Sequence, residues 1–447
     1  MNKRFKSFTS SSPQCKVSTY LCIPAVFITA LLSGCGNGNA PDDASKTKTT
    51  EQQEPVTVKV GVKASGYLTD EEFKRFIAEP VKKKYPWITA EKTAYDDKLL
   101  PEQVTAKQVP DIIITNNVNG IPIISEMKLL EPMTEGIKKH NIDLSRFEPQ
   151  ALEAIKAATR SNDLVALPYT QNFSALYYNK DIFDKFAVPY PKDGMTWQEA
   201  AELARKVTKV DGGVQYRGLE PNVPERMGSQ LSVPLVDATT NRALVNTEQW
   251  KKVMQQAADI YTIPGNGKHA WKTAGINLFV KDRTLAMHAD VNIIATGRFG
   301  DLPDFNWDMA SYPVFPDAPG IGMGPDMHIL VPTSTSQHKD DVYRVITTVI
   351  SDEVQLDMAG QGKTSVMKDG KFKTAFGKDL AFLKGKNIAA PFKTSAAKPY
   401  TPTLHDTIAM SAIQAELREM FTKGKDVNSA LRAAEEKINK DIEAKLK

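Results

Sequence analysis

One stretch restricts this chain more than any other: Leu164–Asp181, LVALPYTQNFSALYYNKD. Leu164–Leu167 is a short apolar run that suits a buried strand. Pro168 has no backbone N–H, so it should end that strand or mark its edge. Tyr169, Thr170, Gln171 and Asn172 then crowd hydrogen-bonding side chains together, as turns do. Ala175–Tyr178 is apolar and aromatic again, which suits a second strand. Asn179-Lys180-Asp181 punctuates it before Ile182, Phe183 and Phe186 open a helical face. The stretch therefore reads as a crossing between two strands. At 447 residues the chain is also too long for one ordinary core, and two or three units are expected.

Around that crossing, strand and helix patterns alternate. Val56, Val58, Val60 and Val62 recur at period two. Thr69-Asp70-Glu71-Glu72 fits a capping box, in which Thr and Glu satisfy free N–H groups at a helix start. Asp111–Ile114 is an apolar, β-branched strand of the kind covered on both faces. Asn116 and Asn117 follow at its C-terminal end, where open α/β sheets bind ligands. Thr196–Glu199 repeats the capping box. Thr247 should cap a helix with Trp250, Val253, Met254, Ala257 and Tyr261 inward, stopped by Pro264-Gly265. Leu285–Ala289 reads as a strand running into Asp290-Val291-Asn292. Asp308–Val314 leads to a second crossing at Phe315-Pro316. Met327–Val331 reads as a strand, the stretch from Val342 to Ile350 as a helix, and two C-terminal helices flank Gly424. This alternation predicts α/β architecture.

The N-terminus carries an address. A basic start precedes Val17–Leu32, an apolar stretch broken by Pro24 and shorter than a bilayer span. Leu32-Ser33-Gly34-Cys35 resembles the bacterial lipobox, in which the cysteine becomes lipidated. Residues 1–35 are thus expected to be a lipoprotein signal peptide, with Cys35 the lipid attachment site. Residues 36–54 have almost no apolar side chains and should form a flexible tether. The protein should sit on the extracytoplasmic face of the cell membrane, lipid-anchored. Of 57 basic residues, Lys3, Arg4, Lys6 and Lys16 precede Cys35 and no acid does, so the rest of the chain balances its bases against 53 acids. That neutrality argues against a general attraction to nucleic acid. Cys15, Cys22 and Cys35 are the only cysteines, which leaves the mature chain no disulfide and no thiolate metal site.

Catalytic signatures are absent. There is no GxSxG elbow and no HExxH. Gly362-Lys363-Thr364 looks like the end of a phosphate loop, but Asp357 stands where the leading glycine is required, and a helix precedes it. It reads as a helix end. The six histidines are dispersed without metal-ligand spacing. No cofactor or metal is expected. Paired carboxylates for glycosidic cleavage stay open, because such partners can be distant in the chain.

The pieces resemble, in order and spacing, the bacterial extracellular solute-binding proteins of ABC transporters (family 1), in the maltose-binding-like, sugar-binding branch. The resemblance rests on the lipobox, the PDIII strand, LPYTQNFSALYYNKD with the TWQEA helix, FVKDRTLAMHADVN, and MGPDMHILVPTSTSQHKDDVYRVI. It implies a two-lobed periplasmic-binding-protein-like fold with discontinuous lobes, hinge and interlobe cleft. Lobe 1 would comprise residues 55–168 and 313–352, and lobe 2 residues 172–310 and 353–447. Each lobe would hold a mostly parallel sheet. The hinge would lie in Tyr169–Ser174, in Asp308–Phe315 and near residue 352. Three departures bear on the ligand. Asp290-Val291-Asn292 stands where sugar binders often have Gly and Trp, Asn172 replaces a carboxylate, and Ile121–Ile124 is apolar where the maltose-type protein has aromatic and acidic contacts.

A sugar offers hydroxyls at its rim and C–H faces, which polar planar groups and aromatic rings match. The ligand-binding candidates are Tyr67, Asn116, Asn117, Tyr169, Gln171, Asn172, Arg226, Trp271, Asp290, Asn292 and Asp326. Each has a plainer role open to it. The asparagines and Gln171 could form turns, Arg226 could pair with Glu225 on the surface, Trp271 could cover the second lobe, and Asp326 could serve a turn. The resemblance implies a monomer that captures a carbohydrate, such as an oligosaccharide, delivers it to ABC permease subunits, and is not an enzyme. A surface-anchored polysaccharide hydrolase or lyase, a binder of peptide, polyamine or metal chelate, and a structural or sensory lipoprotein are the alternatives.

Overall fold

The computed structural model describes residues 53–63, 67–267, 273–294, 302 and 304–447. The signal peptide, Cys35, nearly all of the tether and Trp271 lie outside the described residues. Eleven strands are described: β1 (Val56–Lys63), β2 (Ile88–Tyr95), β3 (Ile112–Asn116), β4 (Leu167–Gln171), β5 (Ser174–Asn179), β6 (Lys209–Asp211), β7 (Val214–Glu220), β8 (Leu285–Val291), β9 (Trp307–Ser311), β10 (Met327–Pro332) and β11 (Thr364–Ser365). They form two sheets, ordered β11-β4-β10-β3-β1-β2 and β6-β7-β8-β5-β9. β2, β1 and β3 run parallel, β10 lies antiparallel between β3 and β4, and β4 therefore runs in the sense of the first three. In the second sheet only β7 and β8 are parallel. The sheets are therefore mixed rather than mostly parallel. Strands that arrive from the other lobe need no crossover helix and can enter in the reverse sense.

Each sheet has its own core. Val60, Ile113, Leu330 and Ile346 belong to the first. Leu176, Trp197, Trp250, Met287, Ile413 and Leu431 belong to the second, beside a smaller cluster around Phe279 and Trp307. The fold is α/β and two-lobed. The chain passes from β4 to β5 through only Asn172 and Phe173, as the sequence suggests.

Three details differ from expectation. The first strand begins at Leu167 and contains Pro168 instead of ending there. The proline sits opposite Ile329 beside a register shift at His328/Ile329, and β11 pairs only with Thr170 and Gln171, so no ladder bond is missed. Tyr312 and Phe315 stay in the second core, so the second passage falls later, before β10. The third passage also falls later than residue 352: Val354, Met358, Met367 and Phe372 pack in the first core, and Phe376 is the first to join the other side.

The helix starts follow the sequence. Thr69 and Glu72 close a capping box, as do Thr196 and Glu199 ahead of Trp197–Val207. Thr247 accepts from the Trp250 N–H at the start of Glu248–Tyr261. In the first lobe a wide turn over Lys74–Ala78 precedes Pro80. A proline cannot donate and would crowd the carbonyl four residues back, which the wider turn relieves.

Candidate functional site

A cavity of about 990 Å³ lies between the two sheets. The first lobe contributes the Tyr67–Glu72 turn, the Asn116–Asn119 loop after β3, the end of β4, and Asp326 and His328 at β10. The second contributes Glu225, Arg226 and Ser229 from the helix Pro224–Gln230, and Val291 and Asn292 past β8. The linkers Met323–Asp326 and Lys398–Pro402 complete it. Both sheets thus present strand ends to one space, as the topology of open α/β sheets leads one to expect.

Tyr67, Asn116, Asn117, Gln171, Asn172, Arg226, Asn292 and Asp326 all line the cavity. Their side chains are already engaged to different degrees. Asn116 donates Nδ2 to the Tyr67 hydroxyl at 2.6 Å and accepts the Asn119 N–H at 2.7 Å. Burial pushes the Tyr67 hydroxyl up to about 12. Asn117 is buried and works as a clasp, donating to the Pro325 carbonyl at 3.1 Å and accepting the Met327 N–H at 2.8 Å. Asn172 makes a second clasp on the same linker. Its N–H reaches the Asp326 carbonyl at 2.7 Å and its Nδ2 the Asp326 carboxylate at 3.2 Å.

Two expected contacts do not reach the cavity. Tyr169 is fully buried in the first core, because strand alternation turns it inward while its neighbour Thr170 faces the cavity. Asp290 stands behind the second wall. It accepts from Asn222 Nδ2, lies 3.1 Å from His288 Nε2 and 3.4 Å from Arg226 Nη1, and accepts the Val291 N–H at 2.7 Å. Burial alone would raise its carboxyl. The His288 hydrogen bond and the charges of His288 and Arg226 outweigh that and hold it below its ordinary value. Arg226 pairs with Asp290 rather than with Glu225, which accepts from Gln414. Deeper still, Glu220 is fully buried, takes the Tyr261 hydroxyl proton in a hydrogen bond, and is pushed well up by desolvation.

The sequence reading missed several wall residues. His328 packs on the Tyr67 ring at 4.4 Å and holds Thr170 through Nδ1 at 3.1 Å. Burial lowers it to about 4, against the opposing pull of Asp326. Lys363 pairs with Glu72 at 2.8 Å, and Lys92 with Asp70 at 2.6 Å. Gly362 is left-handed, with φ of 77°, which fits the helix end read in the sequence. Lys363 gains its place only because β11 returns to the first sheet, a pairing that local spacing does not announce. Among the described residues, no group of three or more His, Cys, Asp or Glu is placed to hold a metal ion. No helix among them is long and apolar enough to cross a membrane.

Two lobes with separate sheets and a cavity between their strand ends define a periplasmic-binding-protein-like fold. The comparisons carry this one step further. The family model for bacterial extracellular solute-binding proteins matches residues 87–397, more than half of the chain, and the protein belongs to that family. The fold is similar to an ABC substrate-binding protein of Listeria monocytogenes solved with cycloalternan, at a TM-score of 0.68, 16% identity and coverage of 87% of this chain and 99% of that one. It is also similar to the sugar-binding protein MalE of Xanthomonas citri, at 0.68, 17% identity and coverage of 87% and 98%. A curated relative, the sn-glycerol-3-phosphate-binding periplasmic protein UgpB of Agrobacterium fabrum, is 27% identical over 110 residues. That match spans a quarter of this chain and a quarter of the relative's length.

Proposed function

We propose that this solute-binding protein captures a neutral carbohydrate, such as an oligosaccharide, and hands it unchanged to the permease subunits of an ABC transporter. The observation that carries the reading is that the cations facing the cavity's interior are already answered, leaving Lys398, exposed in the lining, as the remaining basic group. Lys92 pairs with Asp70, Lys363 with Glu72 and Arg226 with Asp290, while Asp326 holds Asn172 and Glu225 takes Gln414. A phosphate would have to draw Lys92, Lys363 or Arg226 away from its carboxylate to gain a buried counter-charge. A polyhydroxylated solute can use the spare donors and acceptors of paired groups without parting them. The same pairs favour a neutral solute over the phosphate ester named by the curated relative. The cavity is at the upper end of ordinary ligand pockets, which suits more than one sugar unit.

In this reading the lobes close on the solute by bending at Asn172-Phe173, the linker before β10, and the passage between Phe372 and Phe376. Contacts from both lobes make the closed form bind better, which is what shifts the balance toward it. The lipid on Cys35 and the tether at 36–54 would keep a monomer on the extracytoplasmic face of the membrane. The test is thermal unfolding of the mature protein against neutral mono- to tetrasaccharides, spermidine and glycerol phosphate. A bound sugar at a hundred times its Kd adds about 2.7 kcal/mol of stability and should be recovered intact. Stabilisation by the charged solutes alone, or new reducing ends in the sugar, would overturn the proposal.

A further inference from the structure

The Lys398–Pro402 segment enters the cavity with Tyr400, a residue not among the sequence candidates. Pro399 and Pro402 flank it and restrict its backbone. The Ala397 N–H fastens the segment to the Met323 carbonyl at 3.2 Å. The Tyr400 hydroxyl donates to Asp406 Oδ2 at 2.9 Å, and Thr403 Oγ1 donates to Asp406 Oδ1 at 2.7 Å. Asp406 is fully buried at the start of the helix Asp406–Lys423, so both of its oxygens are committed to this loop. Tyr67 is held in a matching way from the first lobe, by Asn116 at its hydroxyl and by His328 against its ring. Each lobe therefore lends the cavity one tyrosine whose polar end is tied to its own side. With the hydroxyls committed, the ring is the part of each side chain left to meet a solute, on the side of Tyr67 away from His328. Asp326 lines the same cavity as both tyrosines.

We propose that Tyr67 and Tyr400 form a two-sided clamp for one sugar ring, with Asp406 the positioning residue that sets Tyr400. The proposal rests on the carbohydrate reading above. A pyranose presents apolar C–H faces to aromatic rings while its rim hydroxyls reach polar groups such as Asp326. Loss of one buried ring face removes an aromatic side chain's worth of burial, which corresponds to roughly ten- to a hundredfold in affinity.

The test is titration calorimetry with neutral mono- to tetrasaccharides of glucose, mannose, galactose and xylose, on wild type and variants. The tightest of these sugars should bind Tyr400→Ala and Tyr67→Ala roughly ten- to a hundredfold more weakly, at a temperature where circular dichroism shows each variant fully folded. Tyr400→Leu keeps apolar bulk should the alanine variant fail to fold, and should lose affinity in the same direction. Asp406→Asn should weaken binding in the wild-type background and have no further effect in the Tyr400→Ala background, because it acts through that ring. Additive losses would remove Asp406 from the positioning role. A wild type that binds sugar while Tyr400→Ala and Tyr400→Leu bind it equally well sinks the clamp alone. A wild type that binds none of these sugars sinks the clamp together with the carbohydrate reading.

Discussion

The two lobes wall the same cavity with opposite polar chemistry. On the first lobe, charge faces the cavity: Lys92 meets Asp70, whose side chain is 90% exposed, and Lys363, itself buried, meets Glu72. On the second lobe, charge retreats behind the wall. His288, Glu220 and Asp290 lie beneath it, while Glu225, Arg226, Ser229 and Asn292 reach the front. An exposed pair contributes little to stability, whereas a buried one becomes costly once a partner is removed. The Lys92–Asp70 side of the first wall is therefore the part freest to vary with the solute. The second is a framework whose polar groups hold one another.

The sharpest way to break this contrast is to cut one pair on each side. Asp290→Ala leaves Arg226, His288 and Asn222 without their shared acceptor, and should cost roughly 3–5 kcal/mol in urea unfolding. Asp70→Asn, on the exposed side, should cost less than about 1 kcal/mol. Equal costs would erase the distinction between the walls.

Acid titration sets the lobes against each other in one pH window. His328, in the first sheet, is lowered from 6.5 to about 4. Its neutral form is the one the fold accepts, so its contribution is present above pH 6.5 and lost as pH falls through 4. Asp406, in the second lobe, is raised from 3.8 to about 6, chiefly by burial. Its contribution is complete below pH 3.8 and lost as pH rises through 6. Each swing amounts to roughly 3 kcal/mol, and the two oppose each other across pH 4–6. Relative to wild type, His328→Gln should make stability fall more steeply as pH rises through that window, and Asp406→Asn should make it rise. Parallel curves for both variants would show that neither group titrates as its burial implies.

Much of this framework is legible before any coordinates. The period-two valines of β1, the capping threonines, the polar Asn116-Asn117 loop and the abrupt β4–β5 passage all follow from local pattern, because hydrogen-bond needs and apolar periodicity act within a few residues. What stays hidden depends on partners far along the chain. Lys363 meets Glu72 across nearly three hundred residues, and Tyr400 gains its role from a loop whose place is set by the second passage between lobes. Tyr169 shows the limit from the other side. Its neighbours make it look like a ligand contact, yet one step of strand alternation buries it.

The linker before β10 extends the contrast to the joint itself. Asn117 holds it from the first lobe with two hydrogen bonds inside a buried amide pocket. Asn117→Ala leaves the Met327 N–H and the Pro325 carbonyl to find other partners, at roughly 1–3 kcal/mol. It should also speed hydrogen exchange at Met327. Unchanged exchange there would mean that strand pairing, not the clasp, fixes the linker.

The smallest effect is the most even-handed, and it tests whether the lobes differ only at the cavity. Thr69 and Thr196 head equivalent capping boxes, one per lobe, each with a glutamate three residues on. Thr69→Ala and Thr196→Ala should each cost about 1 kcal/mol in unfolding, since each frees the same kind of N–H at a helix start. The binding consequences should diverge. Thr69 lines the cavity and leads into Glu72, the partner of Lys363, whereas Thr196 does not line it. Thr69→Ala should therefore weaken solute binding at matched stability, and Thr196→Ala should leave it unchanged. Equal weakening by both would place the effect in the fold as a whole and dissolve the division between a wall that serves the solute and a wall that serves the structure.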